Sequence, residues 1–194
     1  MVETIVDLVR RFTSIALTGT GGIGKTSVVL TVLNDNRIKR QFGDNHSFIR
    51  CDWLTPSHTH FLRKLSEVTG AGVENPEDLS PLRRYLSSKE MIVVLDNAES
   101  ILGLPDTSAQ EIHTIDELSQ FSNICLTITS RISNTLPSHC EIIKIPRLST
   151  EAGYETFYRI YRISEILKEL DFHPLSLSPS SPPSPSRICG TRDG

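Results

Sequence analysis

The segment that most constrains the fold is the glycine-rich run LTGTGGIGKTS, from Leu17 to Ser27. It satisfies two phosphate-binding patterns: the G-x-G-x-x-G turn of dinucleotide-binding proteins and the G-x-x-x-x-G-K-[ST] loop of nucleoside triphosphatases. At average residue frequencies the four fixed positions of the second pattern coincide at about 4 in 100,000 sites, so chance explains them poorly. Both patterns require a strand before the loop and a helix after it.

The flanking sequence supplies that context. Apolar residues at steps of three and four predict a helix over 2–12, and the apolar run 15–17 predicts a strand that ends at the loop. The remaining predicted strands are 46–52, 91–95, 124–129 and 141–145, and the remaining predicted helices are 26–33, 61–70, 76–86, 109–121 and 150–170. This alternation predicts an α/β fold, a P-loop NTPase three-layer sandwich with a central parallel sheet of about five strands and helices on both faces. The fully apolar run 91–95 is expected at the centre of the sheet.

Length and composition bound the domain organisation and the partners. A chain of 194 residues suffices for one core but hardly for two, so we expect one nucleotide-binding domain over 1–172. The serine- and proline-rich segment 173–194 is expected to be a disordered tail. A net charge of −3 gives no broad cationic field, so we expect no nucleic-acid partner. Without a long apolar run or a leader-like N-terminus, we expect no membrane association and a cytoplasmic location.

Lys25 and Thr26 favour the triphosphate pattern over the dinucleotide pattern, because a dinucleotide turn uses neither a cation nor a metal-binding hydroxyl at the start of its helix. In the triphosphate pattern the backbone amides surround the β-phosphate, Lys25 contacts the β- and γ-phosphate oxygens, and Thr26 binds Mg²⁺. The predicted nucleotide-binding residues of the loop are Gly19, Thr20, Gly21, Gly22, Ile23, Gly24, Lys25, Thr26 and Ser27. An exposed flexible turn and a dinucleotide site are the alternatives.

Asp96 is the predicted second metal-binding residue. It directly follows the apolar run MIVVL, and a carboxylate at the tip of a buried strand beside the loop holds Mg²⁺ through the metal's water shell in triphosphatases. Taken alone, such an acid could simply cap the next helix. Together with the loop, it predicts a Mg²⁺ site formed by Thr26 and Asp96, with the strand that carries Asp96 next to the strand that leads into the loop.

Two further residues are candidate catalytic groups. Glu99 could polarise the attacking water, or it could be an acid in the first turn of a helix, favoured by the helix dipole. Arg131, just after the predicted strand ICLTITS, could sense the γ-phosphate or could form a surface ion pair. The guanine-recognition pattern N-K-x-D and the switch pattern D-x-x-G are both missing, so adenine nucleotides, ATP and ADP, are preferred by elimination.

Four segments together resemble a known family: GTGGIGKT, IVVLDNAES, TSR at 129–131 and FHPL at 172–175. They are similar to the nucleotide-binding domain of STAND ATPases, the NB-ARC and NACHT class of NOD-like receptors, over about 2–175. The resemblance implies an ADP-bound closed monomer, exchange for ATP, self-association through this domain, and slow hydrolysis that resets the switch. It also implies that Pro174 packs on adenine, and it assigns to the loop, Asp96, Glu99 and Arg131 the roles described above.

The sequence departs from the family pattern in two places that bear on adenine binding. The upstream Gly-Arg-Glu segment that lines the adenine pocket in relatives is not present, and serine and proline replace the helical lid expected after 175. We therefore expect a truncated form with an intact phosphate half of the site. The predicted function is an ATP/ADP-binding regulatory switch domain with weak hydrolysis. The alternatives are a catalytically active P-loop ATPase or kinase-like enzyme, and a non-functional truncated fragment.

Overall fold

The computed structural model describes residues 1–54, 57–72, 79–102 and 109–147, apart from the side chains of residues 109 and 111. These residues belong to one compact unit, Met1–Arg147. The helices are α1 Val2–Arg10, α2 Lys25–Leu33, α3 Asn36–Phe42, α4 His58–Thr69, α5 Ser80–Ser87, α6 Glu99–Leu102 and α7 Ala109–Gln120. The strands are β1 Ile15–Thr18, β2 His46–Arg50, β3 Met91–Asp96, β4 Ile124–Ser130 and β5 Glu141–Lys144. The helix predicted at 150–170, the domain boundary predicted at 172 and the tail predicted at 173–194 lie outside the described residues.

The five strands form one parallel sheet in the order β2-β3-β4-β1-β5, which confirms the predicted fold class. Every residue of β3 and β4 is buried, as expected for strands that have a neighbour on each side and helices on each face. The strand 91–95 was predicted at the centre and next to β1, and this prediction was wrong. The central strand is β4, and it separates β1 from β3.

Two hydrophobic clusters cover the two faces of the sheet, because alternate residues of a strand point to opposite faces. On one face Leu17 and Val94 pack with α1, α2 and α3, and on the other Leu95 and Leu126 pack with α4, α5, α6 and α7. Helices therefore lie on both sides of the sheet. This arrangement confirms the three-layer sandwich.

Several boundaries differ from the predictions for local reasons. Helix α1 ends at Arg10 rather than at residue 12, and Phe12 adopts a left-handed backbone with φ of 57°. Strand β2 ends at Arg50, and the next three residues form a 3-10 turn instead of extending the strand to residue 52. Helix α3 was not predicted, although Asp35 caps it by accepting a 2.8 Å hydrogen bond from the Arg37 amide.

Candidate nucleotide-binding site

The candidate site lies at the carboxyl ends of β1, β3 and β4, the edge at which parallel sheets of this kind bind ligands. Gly24 has a φ of 97°, and Lys25 immediately begins the nine-residue α2. Only glycine adopts that conformation readily, and the turn aims the unpaired amides of the helix start back toward the loop. A cavity of about 340 Å³ opens there, lined by Gly21, Gly22, Gly24, Lys25, Thr26, Ser27, Asn97 and Arg131.

Lys25 is folded against the loop that precedes it. Its ammonium donates to the carbonyl oxygens of Gly19, at 2.8 Å, and Thr20, at 3.1 Å, and the residue is only 7% exposed. Burial lowers the pKa of this ammonium from its ordinary value, an effect partly offset by the nearby Glu99 carboxylate. Because both hydrogen-bond partners are neutral carbonyls, the ammonium is available to an anion that enters the cavity.

Thr26 and Asp96 meet directly, although they lie 70 positions apart in sequence. The Thr26 hydroxyl donates to Oδ1 of Asp96 at 2.8 Å. The strand periodicity explains the contact, since Asp96 follows Ile92 and Val94 at steps of two and these residues face α1, α2 and α3. The carboxylate is therefore directed to the face of the sheet on which α2 begins. Asp96 is only 4% exposed.

Thr129 of β4 also holds Asp96 through the same carboxylate oxygen, although no role was predicted for it. Its hydroxyl donates to Oδ1 of Asp96 at 2.7 Å and accepts from the amide of Asn97 at 3.0 Å. Its carbonyl oxygen also accepts from the amide of Ala98 at 2.9 Å. Asn97 lines the cavity with a left-handed φ of 58°. One signal could have identified Thr129, namely a hydroxyl residue near the carboxyl end of a buried strand.

Glu99 and Arg131 face each other at the outer rim of the site. Nε of Arg131 lies 2.9 Å from Oε1 of Glu99, and the Arg131 amide donates to Oε2 at 3.2 Å. Within the described part of the chain, Oε1 accepts no hydrogen bond, so the side-chain contact is an ion pair only. The guanidinium also lies 3.7 Å from the position that a Cβ on Gly21 would occupy, which places it over the loop. The ion-pair alternative raised for Arg131 thus describes its present contact.

The oxygen atoms at the centre of the site suit Mg²⁺. A hydroxyl and a carboxylate are hard ligands, and Mg²⁺ sites commonly use one or two carboxylates together with substrate phosphates and water. No group of three or more His, Cys, Asp or Glu side chains suited to a metal occurs in the ranges that the structure describes. The residues therefore fit a metal that arrives with a phosphate ligand rather than one held by a complete protein cage.

Solved structures share this fold at low sequence identity. They include a Walker-type ATPase of Pyrococcus abyssi (13% identity, TM-score 0.59, covering 84% of this chain and 57% of that chain). Cdc6p of Pyrobaculum aerophilum matches at 13% identity with a TM-score of 0.64 (84% and 48%). The ORC1 protein of Aeropyrum pernix, solved in complex with DNA, matches at 15% identity with a TM-score of 0.60 (84% and 48%). The chain thus has the fold of P-loop ATPases, and it spans about half the length of these structures.

No protein-family profile matches the sequence, and no curated protein matches it. The matched structures therefore establish the fold alone, and the more specific STAND class remains a prediction from the motifs. In the described residues, no helix combines the length and apolar character that crossing a bilayer would require. Pro174, the residue predicted to pack on adenine, lies outside the described residues.

Proposed function

We propose that this domain binds ATP and ADP together with Mg²⁺ at the carboxyl edge of its sheet. The observation that carries the proposal is the 2.8 Å contact between Thr26 at the start of α2 and Asp96 at the end of β3. It brings the two predicted metal ligands together beside a cavity lined by the glycine-rich loop. In this proposal the loop amides bind the β-phosphate, Lys25 exchanges its carbonyl partners for phosphate oxygens, and Mg²⁺ offsets the charge of the phosphates.

Hydrolysis is proposed to be slow. A general base needs an accessible carboxylate oxygen close to the attacking water. The Glu99 side chain is only 15% exposed, and both of its oxygens face Arg131. Because Arg131 also lines the cavity, the same guanidinium is suited to contact a γ-phosphate. We propose that the γ-phosphate of ATP draws Arg131 away from Glu99 and that only then can Glu99 act on water.

The slow turnover fits a regulatory switch better than a metabolic enzyme. With the STAND-like motifs, it supports the proposal of a cytoplasmic signalling domain that is closed with ADP and self-associates with ATP. We propose Pro174 as an adenine contact on the motif resemblance alone. Although the ORC1 match is a DNA complex, the net charge of −3 supports the proposal that this chain has no nucleic-acid partner.

Thermal unfolding of the full chain with and without nucleotide tests the proposal. Mg-ADP and Mg-ATP at 100 times their dissociation constants should each stabilise the fold by about 2.7 kcal/mol. Mg-GDP at the same concentration as Mg-ADP should stabilise it less. Lys25→Ala should abolish the shift. Lys64→Ala is the matched control, because Lys64 lies on α4 and pairs with Glu67 at the surface. It should keep the full shift.

The alternatives give different results in the same experiment. A phosphate-release assay that shows rapid turnover would support an active ATPase over a switch. Absence of any nucleotide-dependent shift in the wild-type chain would support the non-functional fragment and overturn the proposal. Light scattering with Mg-ADP and then with a non-hydrolysable ATP analogue measures self-association, which is expected only with the ATP analogue.

A further inference from the structure

We infer that Thr129 is a positioning residue for the metal-binding carboxylate, an inference that rests on the proposed function of the site. Its hydroxyl contacts both Asp96 and the amide of Asn97, so a single side chain connects β4 with the end of β3 and the first residue after it. The glycine-rich loop and its neighbours line the cavity, but Thr129 does not. It is 0% exposed, so it acts through Asp96 and not on the ligand.

The direction of the two hydrogen bonds is fixed by their chemistry. A backbone amide can only donate and a carboxylate can only accept, so the Thr129 hydroxyl must accept from Asn97 and donate to Asp96. The single hydroxyl proton is thereby committed to Oδ1 of Asp96. A carboxylate that receives such a fixed donor loses rotational freedom, so the orientation of its side chain is held constant.

Thr26 cannot replace this function. Its hydroxyl also donates to Oδ1 of Asp96, but it begins α2 and is itself a proposed metal ligand. When its oxygen binds a metal, its orientation is set by the metal, whereas the hydroxyl of Thr129 keeps the same two protein partners. Thr129 also fixes the amide of Asn97, whose left-handed backbone carries the chain from β3 to α6. Loss of the hydroxyl would release both the carboxylate and this turn.

The test separates metal binding from nucleotide binding by measuring ADP affinity by calorimetry, once with Mg²⁺ and once with a chelator. Thr129→Val removes the hydroxyl at nearly constant volume and should weaken Mg-ADP binding by about tenfold or more, a loss typical of residues behind metal ligands. Metal-free ADP binding should stay within about twofold, because the loop and Lys25 are unchanged. Thr129→Ser keeps a hydroxyl and should restore Mg-ADP affinity.

Thr127→Val is the matched control. Thr127 lies two residues earlier on the same face of β4 and is 3% exposed. Its hydroxyl contacts Sγ of Cys125, which is not a residue of the site. Its substitution should leave both affinities unchanged. Urea unfolding of each variant reports folding, and Thr129→Ala provides a second hydroxyl-free variant if the valine does not fold.

Three results would overturn the inference. Thr129→Val could bind Mg-ADP as the wild type does, it could lose metal-free and Mg-dependent binding equally, or the serine variant could fail to restore Mg-ADP affinity. In these cases the wild type still binds Mg-ADP and the proposed function stands. Failure of the wild-type chain to bind ADP under either condition overturns the proposed function and this inference together.

Discussion

Asp96 and Glu99 are two acids three positions apart at the same edge of the sheet, yet their surroundings differ completely. Asp96 is 4% exposed and accepts from two hydroxyls, one on α2 and one on β4. Glu99 faces Arg131, whose side chain is 60% exposed. The proposed metal-binding half of the site is therefore held by the core of the fold, whereas the proposed hydrolytic half depends on an ion pair whose guanidinium is largely exposed. Binding and turnover should therefore respond differently to substitution.

The largest difference is expected between Asp96→Asn and Glu99→Gln in Mg-dependent ADP binding. Removing the charge of a carboxylate that holds Mg²⁺ through its water shell should weaken Mg-ADP binding by about 10–100-fold, the loss typical of residues behind the metal ligands. Glu99→Gln should change the same affinity by less than about twofold, because no step of ADP binding uses the Glu99 carboxylate. Calorimetry with Mg²⁺ and with a chelator measures both.

This expectation has a direct internal control. Metal-free ADP affinity should be retained in Asp96→Asn, which separates loss of the metal from loss of the fold. Equal losses in the two variants would mean that Glu99 belongs to the metal-binding half, and the contrast between the two acids would be abandoned.

The glycine-rich loop offers the second comparison, in stability. Gly19 has a φ of 153°, and an added Cβ would lie 3.3 Å from Ile23 and 3.4 Å from the carbonyl oxygen of Ile145. Gly19→Ala should therefore destabilise the fold by about 1–3 kcal/mol. At Gly21 the same Cβ would meet only the Arg131 guanidinium at 3.7 Å, an ordinary contact. Gly21→Ala should cost less than about 0.5 kcal/mol.

Urea unfolding of the two alanine variants gives both values under one set of conditions. A cost at Gly21 equal to that at Gly19 would show that the exposed side of the loop is as constrained as the side packed against Ile145, contrary to the structure. The unfolding slope should not change, because neither substitution alters the buried surface of the native state.

The features predicted from the sequence are those encoded over short distances. The four fixed residues of the loop and the apolar run before Asp96 each lie within a dozen residues, and each led to the observed element. The strand–helix alternation is built from similarly short segments. Periodicity also indicates the face to which Asp96 points. These local patterns were enough to predict the sandwich fold and the meeting of Thr26 with Asp96.

The features that were missed depend on strand order, on side-chain conformation or, for helix α3, on a segment too short to show a period. The order of the strands along the chain does not show that β4 lies between β1 and β3 in the sheet. Because β4 was not expected beside Asp96, no role was predicted for Thr129. The contact between Arg131 and Glu99 joins residues 32 positions apart and depends on the rotamers of both side chains. With another rotamer, the Arg131 side chain would lie over the loop without contacting Glu99. Helix α3 was missed because its seven residues are too few for a clear period.

The smallest expected effect concerns the ion pair itself. In a double-mutant cycle with Glu99→Gln and Arg131→Gln, the coupling energy in urea unfolding should be only about 0.2–1 kcal/mol, because the guanidinium is largely exposed. It should decrease as the ionic strength is raised, since salt screens exposed charges. A coupling well above 1 kcal/mol that persists in salt would mean that the pair is a rigid structural element. Glu99 would then remain engaged in the presence of ATP, and slow hydrolysis would need another base.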